Sequence, residues 1–299
     1  MLSETPVATD DRMWRRLMLT PALLLLLALS VLPIVNLLAM SLHKITWKDA
    51  SASWQRVGLE NYRALAADAL YGAGLRNTLI FAAGSVCAQM LIAFFLALSC
   101  SRIARGRVFY RTVFILPLLI PGIVVGAIWK LFLNADFGLL NQIIGLVGAG
   151  PVDWLGDKAT ALLSVMMVDV WHWTPFCFLL LLAGIESLPQ DIYESARIDG
   201  ATGWQELVWI TLPLMLPAIM VTAIFRFIVA FKVFDEVYLL TGGGPGTATE
   251  VISFTIYQRF FTEDRAGFGS AMSISVVFIV CLMLAVALTA RQRVGGAST

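Results

Sequence analysis

The stretch Asn77-Thr-Leu-Ile-Phe-Ala-Ala-Gly-Ser-Val-Cys-Ala-Gln-Met-Leu-Ile-Ala-Phe-Phe-Leu-Ala-Leu-Ser-Cys-Ser101 decides the fold class. It contains no Asp, Glu, Lys or Arg, and it exceeds the roughly 20 apolar residues with which a helix crosses about 30 Å of hydrocarbon. Leu17–Leu42 and Ala266–Ala290 read the same way, and Ala159–Ile185 differs only in carrying one carboxylate, Asp169. Thr112–Leu133 adds a span with Lys130 near its end, where a long side chain can reach the interface. Pro213–Asp235 adds another, with Arg226 inside it. The expectation is an all-α, polytopic membrane protein of six transmembrane helices, forming one domain over residues 1–299. Composition agrees: of 299 residues 59% are hydrophobic and 14% charged, against about 45–50% and about 25% in soluble domains. A soluble enzyme and a disordered chain are both excluded on that ground. The net charge of +1 leaves no basic surplus for nucleic acid.

Arg12, Arg15 and Arg16 before the first span suggest a signal peptide, but the apolar run outlasts the usual 7–15 residues. It reads better as an uncleaved first helix. Six spans put both termini on one side. Arg102, Arg105, Arg107 and Arg111 crowd the short loop between spans two and three. They share a side with the N-terminal arginines, Arg197, Arg291 and Arg293. Basic residues are as numerous on the other side, but there they are spread over longer, acidic segments. By the positive-inside rule both termini are expected in the cytoplasm. Cys87, Cys100, Cys177 and Cys281 lie in or at the ends of spans and suggest apolar packing rather than disulfides.

The segment Glu186–Pro213 is unlike the other connections. Ser187-Leu-Pro-Gln190 has the capping-box pattern with Pro in the first turn. A helix from there would pass Asp191, Glu194 and Ala196 and stop at Gly200. Thr202-Gly-Trp-Gln205 repeats the capping box and opens a second helix leading into span five. A cytoplasmic loop that folds this deliberately is expected to touch something. The plainer alternative is a helix pair lying on the membrane through Ile192, Ala196, Trp204 and Leu207.

Glu194-Ser195-Ala196, then Gly200, then Ile210-Thr-Leu212-Pro213 match the EAA signature of binding-protein-dependent ABC importer permeases, with Ser195 where alanine is usual. Tyr238-Leu-Leu-Thr241-Gly-Gly-Gly-Pro245, with Thr249 and Tyr257, resembles the sugar-permease branch, the maltose-transporter-like subunits. The resemblance implies the type I importer permease fold in a bacterial or archaeal inner membrane, with residues 186–212 as the coupling-helix loop. Asp191, Glu194, Ser195, Ala196, Asp199 and Gly200 would seat on a cytoplasmic ATPase. The implied partners are a second permease subunit, two ATPase subunits that bind ATP and Mg, and an extracytoplasmic solute-binding protein docking on loops such as His43–Arg76. No cofactor is expected in this chain: Gly242–Gly246 lacks the Gly-Lys-Ser/Thr of a phosphate loop. Two histidines, His43 and His172, make a metal site improbable, and there is no convergent catalytic set.

Charged residues within spans usually face a cavity or a partner. Span four carries Asp169, Trp171, His172, Trp173 and Phe176; span five carries Arg226, with Lys232, Val233, Asp235 and Glu236 toward its end. Aromatic faces beside hydrogen-bonding groups suit a hydroxylated solute, and the resemblance places a solute pocket on these helices. The alternatives stay open: Trp171 and Trp173 as interfacial packing, Arg226 with Asp169 as a structural ion pair, Lys232, Asp235 and Glu236 as a solvated helix end. The sequence thus reads as the permease subunit of an ATP-driven importer for a sugar or polyol. The rivals are an importer for glycerol phosphate or another anionic solute, anchored by Arg226 and Lys232, and a stand-alone secondary transporter, which should show inverted repeats that are not evident here.

Overall fold

The computed structural model describes residues 10–48, 51–101 and 107–295. Arg102 and Arg105 lie outside the described residues, as do the side chains of Arg12, Arg15, Arg16, Arg107, Arg291 and Arg293. The elements in order are α1 (Asp10–Ser41), β1 (His43–Lys48), β2 (Ser51–Arg56), α2 (Glu60–Ala66), α3 (Ala69–Ser101), α4 (Arg107–Ile115), a 3-10 turn (Leu116–Leu119), α5 (Gly122–Phe132) and α6 (Leu139–Leu146). They continue with α7 (Ala161–Glu186), α8 (Gln190–Ile198), α9 (Gly203–Gln205), a π-turn (Glu206–Thr211), α10 (Leu212–Ala230), α11 (Asp235–Leu240), α12 (Ile252–Tyr257), a second π-turn (Gln258–Thr262) and α13 (Ala266–Gly295). Five helical stretches are long and apolar enough to cross a membrane, and a bent pair brings the number to six.

The chain forms two compact units, one of residues 1–67 with 258–276 and one of residues 68–257 with 277–299. In the first, α1 ends at Ser41 and the chain turns into an antiparallel hairpin of β1 and β2 in which Ile45 pairs with Trp54. The hairpin is an addition to the expected all-helical fold. Only Ile45 is buried in it; Lys44, Thr46, Ser53 and Gln55 are exposed, and so are Trp47 and Trp54. Asn61 Nδ2 donates to the Ser41 and His43 carbonyls at 2.8 and 3.2 Å, tying α2 under the hairpin. Gly267 packs against the same place, where a Cβ would meet the His43 carbonyl oxygen at 2.0 Å.

In the second unit α3 and α7 pack side by side. The buried face of α3 runs through Thr78, Phe81, Ala82, Ser85, Val86, Gln89, Ala93, Ala97 and Cys100, the three-and-four spacing of one helical stripe. Its small residues let the helices approach closely, as dispersion contacts between membrane helices require. Ala93 and Ala97 pack into a cluster with Cys177, Phe178, Leu181 and Met215. All four cysteines are free thiols.

The third span departs from expectation. Thr112–Leu133 is not one straight helix: Phe109–Leu119 and Gly122–Phe132 meet at 92°. Ile120 adopts extended backbone, φ −86 and ψ 127, because the ring of Pro121 crowds the α conformation of the residue before it. Pro121 also withholds an N–H from the helix ladder. Span five departs in the other direction, since Gly203–Ala230 is continuous from the connection after α8 through the apolar stretch.

Candidate functional site

Two regions of the second unit hold the residues singled out above. The first is a cleft of about 300 Å³ lined by Gly122, Asp169, His172, Trp173, Arg226, Val229, Lys232, Val233, Phe234, Asp235 and Glu236. Two interruptions of helix meet there. The break before Pro121 frees the Ile120 carbonyl, α10 ends at Ala230 ahead of Lys232, and α11 begins at Asp235.

At the floor of the cleft, one Arg226 nitrogen, Nη2, donates to both Asp169 oxygens, at 2.6 and 2.5 Å. The side chains are 1% and 2% exposed. Gln89 Nε2 from α3 donates to the same carboxylate at 2.9 Å and to the Asp169 carbonyl at 3.0 Å. Three spans are thereby joined by one carboxylate. The carboxylate finds partners in Arg226 and Gln89, whereas Arg226 Nε and Nη1 and Gln89 Oε1 are buried without a hydrogen-bond partner among the described residues, so the pair holds its charge with only part of its hydrogen-bonding capacity met. The guanidinium also lies over the Trp173 ring, 4.8 Å from its centroid, a cation–π contact.

Higher in the cleft, His172 bridges two elements. Its Nε2 is 3.1 Å from the Ile120 carbonyl and its Nδ1 3.2 Å from Glu236 Oε1. The carbonyl can only accept, so Nε2 carries the proton of that contact. The pair is buried, at 6% and 7% exposure. Asp235 lies against the start of α5, its Oδ2 2.9 Å from where a Gly122 Cβ would be. A side chain at position 122 would displace it. Lys232 is exposed, and Val233 is buried.

The structure therefore brings Asp169, His172, Trp173, Arg226, Lys232, Val233, Asp235 and Glu236 together. Trp171 is not among them. It points into a different, apolar hollow of about 520 Å³ with Trp129, Pro117 and Phe178. Phe176 is one step removed, stacked on Phe225 with centroids 5.1 Å apart and edge-on to Trp173. Gln89, Gly122, Val229, Phe234 and the Ile120 carbonyl were not foreseen. The signal for the carbonyl was Pro121 inside an otherwise uninterrupted apolar run.

The glycine-rich segment sits beside this region. Gly242, Gly243 and Gly246 have positive φ, which favours glycine. Thr249 Oγ1 donates to the Gly244 carbonyl at 2.7 Å, and Asn77 Nδ2 donates to the Thr247 and Glu250 carbonyls at 2.8 and 2.9 Å. A Cβ on Gly243 would strike Glu250 and Phe254. The segment is thus a fixed turn held to α3.

The second region is the loop from Ser187 to Thr211. The first expected capping box does not form. Ser187 closes α7, its Oγ donating to the Gly184 carbonyl at 2.7 Å, and Pro189 stands before α8 without a side-chain cap. The second does form: Thr202 N and Gln205 Oε1 are 2.8 Å apart, with the reciprocal bond from Gln205 N to Thr202 Oγ1 at 3.4 Å. Between them Gly200, at φ +81, ends α8 in a Schellman turn, with Ala201 N bonded to the Ala196 carbonyl and Gly200 N to that of Arg197. Asp191, Glu194, Ser195, Asp199 and Gly200 are exposed, and Ala196 is half-buried. Ile198 and Trp204 are 86% and 73% exposed on either side of the turn, an apolar pair of which the sequence reading included only Trp204, on the face of a membrane-lying helix pair. Arg197 donates from Nε to Glu206 Oε1 at 2.9 Å. That hydrogen bond and the carboxylate's charge push the guanidinium above its ordinary value.

Residues 89–294 match the family described as binding-protein-dependent transport system inner membrane component. The trehalose/maltose transport system permease protein MalF of Thermococcus litoralis is 37% identical over 265 residues, 88% of each chain. The trehalose transport system permease protein SugA of Mycobacterium tuberculosis is 31% identical over 286 residues, covering 95% of this chain and 90% of its own. Among solved structures, a chain of a bacterial ABC transporter involved in the import of the acidic polysaccharide alginate superposes with a TM-score of 0.83 at 25% identity, covering 95% of this chain and 96% of the other.

Proposed function

We infer the function of this chain from its kinship: it belongs to the family of inner membrane components of binding-protein-dependent transport systems, so it is a multi-pass permease subunit of an ABC importer and a transport component rather than a catalyst. In this reading its cargo is a neutral sugar or polyol. It pairs with a second permease subunit, two ATPase subunits hold ATP and Mg on the cytoplasmic side, and a binding protein delivers solute from outside. Both termini are cytoplasmic, in a bacterial or archaeal inner membrane.

One observation carries the cargo assignment. The buried cation of the cleft, Arg226, is already bound by both oxygens of Asp169. Acidic groups in the lining (Asp169, Asp235, Glu236) outnumber basic ones (Arg226, Lys232). An anionic solute would meet more repulsion than attraction there, which disfavours glycerol phosphate. A hydroxylated ring finds what it needs: the Trp173 ring for its C–H surface, with the exposed Lys232 and Asp235 as donor and acceptor. Curated relatives named for trehalose, maltose and diacetylchitobiose transport support the same class.

Mechanistically, α8 is the coupling helix. Its exposed acids and small residues enter the ATPase, and closure of the ATPases swings the two permeases from inward-facing to outward-facing as rigid bodies. The test has two arms. A melting-shift screen of the purified binding protein against sugars, polyols and sugar phosphates should show stabilisation by a neutral member; stabilisation by phosphates alone would overturn the cargo. Replacing Gly200 or Glu194 should abolish uptake, and undiminished uptake in both variants would remove α8 from the mechanism.

A further inference from the structure

The π-turn Glu206–Thr211 is unexplained by coupling or by cargo. Its i→i+5 bonding is rare and concentrates at functional sites. In an α-helix, residues five apart point about 140° away from each other, so Glu206 and Thr211 would lie on different faces. The π-turn brings both to one side, and there each meets a residue of α8. Arg197 Nε bonds Glu206 Oε1 at 2.9 Å, with Nη2 3.5 Å from Oε2, and Tyr193 Oη is 3.0 Å from Thr211 Oγ1. Tyr193 and Arg197 are four apart, one turn of α8, on one face. Thr211 Oγ1 closes the arrangement by donating to the Glu206 carbonyl at 3.1 Å. Glu206 is nearly buried, at 8% side-chain exposure, so its carboxylate is held in place. The Gly200 turn and the Thr202 cap fix the connection between the two helices.

We propose that this double clamp, with the π-turn that sets its register, is a force-transmitting strut: it makes α8 and the start of α10 one rigid piece, so that displacement of α8 moves Arg226 in the same helix and Lys232 just beyond its end. Tyr193 and Arg197 are positioning residues in this scheme. They need not touch the ATPase, the nucleotide or the solute. The strut rests on the functional reading above. Without it, α8 would pivot at Gly200 and nucleotide-driven motion would be spent in the loop.

The experiment uses the full complex in proteoliposomes and reads solute moved per ATP hydrolysed. The double variant Tyr193→Phe/Arg197→Gln should lower that ratio about three- to tenfold, the lower part of the range of couplings between contacting groups, while ATPase subunits still co-purify and still hydrolyse ATP. The charge exchange Arg197→Glu with Glu206→Arg should recover part of the ratio lost in Arg197→Glu alone. An unchanged ratio in the double variant overturns the proposal. So does loss of the co-purifying ATPase, which would make the residues part of the docking surface. A readout independent of cargo separates this from failure of the functional reading. Amide hydrogen exchange across residues 190–211 should quicken in the double variant, and unaltered exchange means that no clamp exists, whatever the solute proves to be.

Discussion

The cleft and the Ser187–Thr211 loop use charge in opposite ways. In the cleft, Asp169 and Arg226 are almost wholly buried and bonded to each other, so the charges are part of the packing. In the loop, Asp191, Glu194 and Asp199 are exposed, and only Glu206 is drawn inward. A buried charge that loses its partner has no water to turn to; an exposed one hardly notices. Damage in the cleft should therefore be felt through the whole bundle. In the loop it should be felt locally, as altered coupling.

The sharpest attempt to break this contrast is Arg226→Met. It leaves the Asp169 carboxylate buried with Gln89 alone, a change that typically costs about 3–5 kcal/mol. The detergent-solubilised chain should melt markedly lower, and Arg226→Met with Asp169→Leu should recover most of the loss. If the single variant melts like the parent, the pair is not structural. Gly200→Val comes next. A β-branched residue at φ +81 is disfavoured by about 1–2 kcal/mol. The melting point should move little, whereas co-purifying ATPase and uptake should fall steeply. Thr202→Ala removes the observed cap, worth about 1 kcal/mol. Faster exchange of the Gly203–Glu206 amides, with uptake reduced only in part, is the expected pattern. The smallest effect is in pH. Glu206 raises the Arg197 pKa above its ordinary value, so the stabilisation it brings is complete below that value and is lost only as pH rises through the raised one. Between about pH 6 and pH 9 the arginine side of the clamp should be insensitive, and a titration of hydrogen exchange over that range checks it.

Much of this was legible in the residues. Long runs without charge gave away the membrane helices, because the bilayer sets a minimum length that few soluble elements share. Thr202-Gly-Trp-Gln205 announced its own cap. Ser187-Leu-Pro-Gln190 had the same pattern and misled, since a serine between two helices can serve the one that ends as well as the one that begins. The bend at Pro121 was hidden by the apolar continuity of Thr112–Leu133: hydropathy reports the solvent a segment prefers, not whether it is straight. The hairpin was missed because six residues per strand, with tryptophans on its partly exposed face, leave little alternation to see. Asp169 and Arg226 were visible as oddities, and their pairing was one of the readings left open, but whether they meet across 57 residues of sequence depends on how two helices turn toward each other. Nothing local encodes that.

The Asp169–Arg226 contact also bears on how the chain enters the membrane. Each charge taken alone disfavours insertion of its helix by about 2.5–3.5 kcal/mol at the bilayer centre, and each is neutralised only by the helix that follows or precedes it. The translocation machinery would do better to hold α7 until α10 has been synthesised and release the two together as a hairpin. The compact loop between them, already folded by its own turn and cap, keeps the waiting partner within reach.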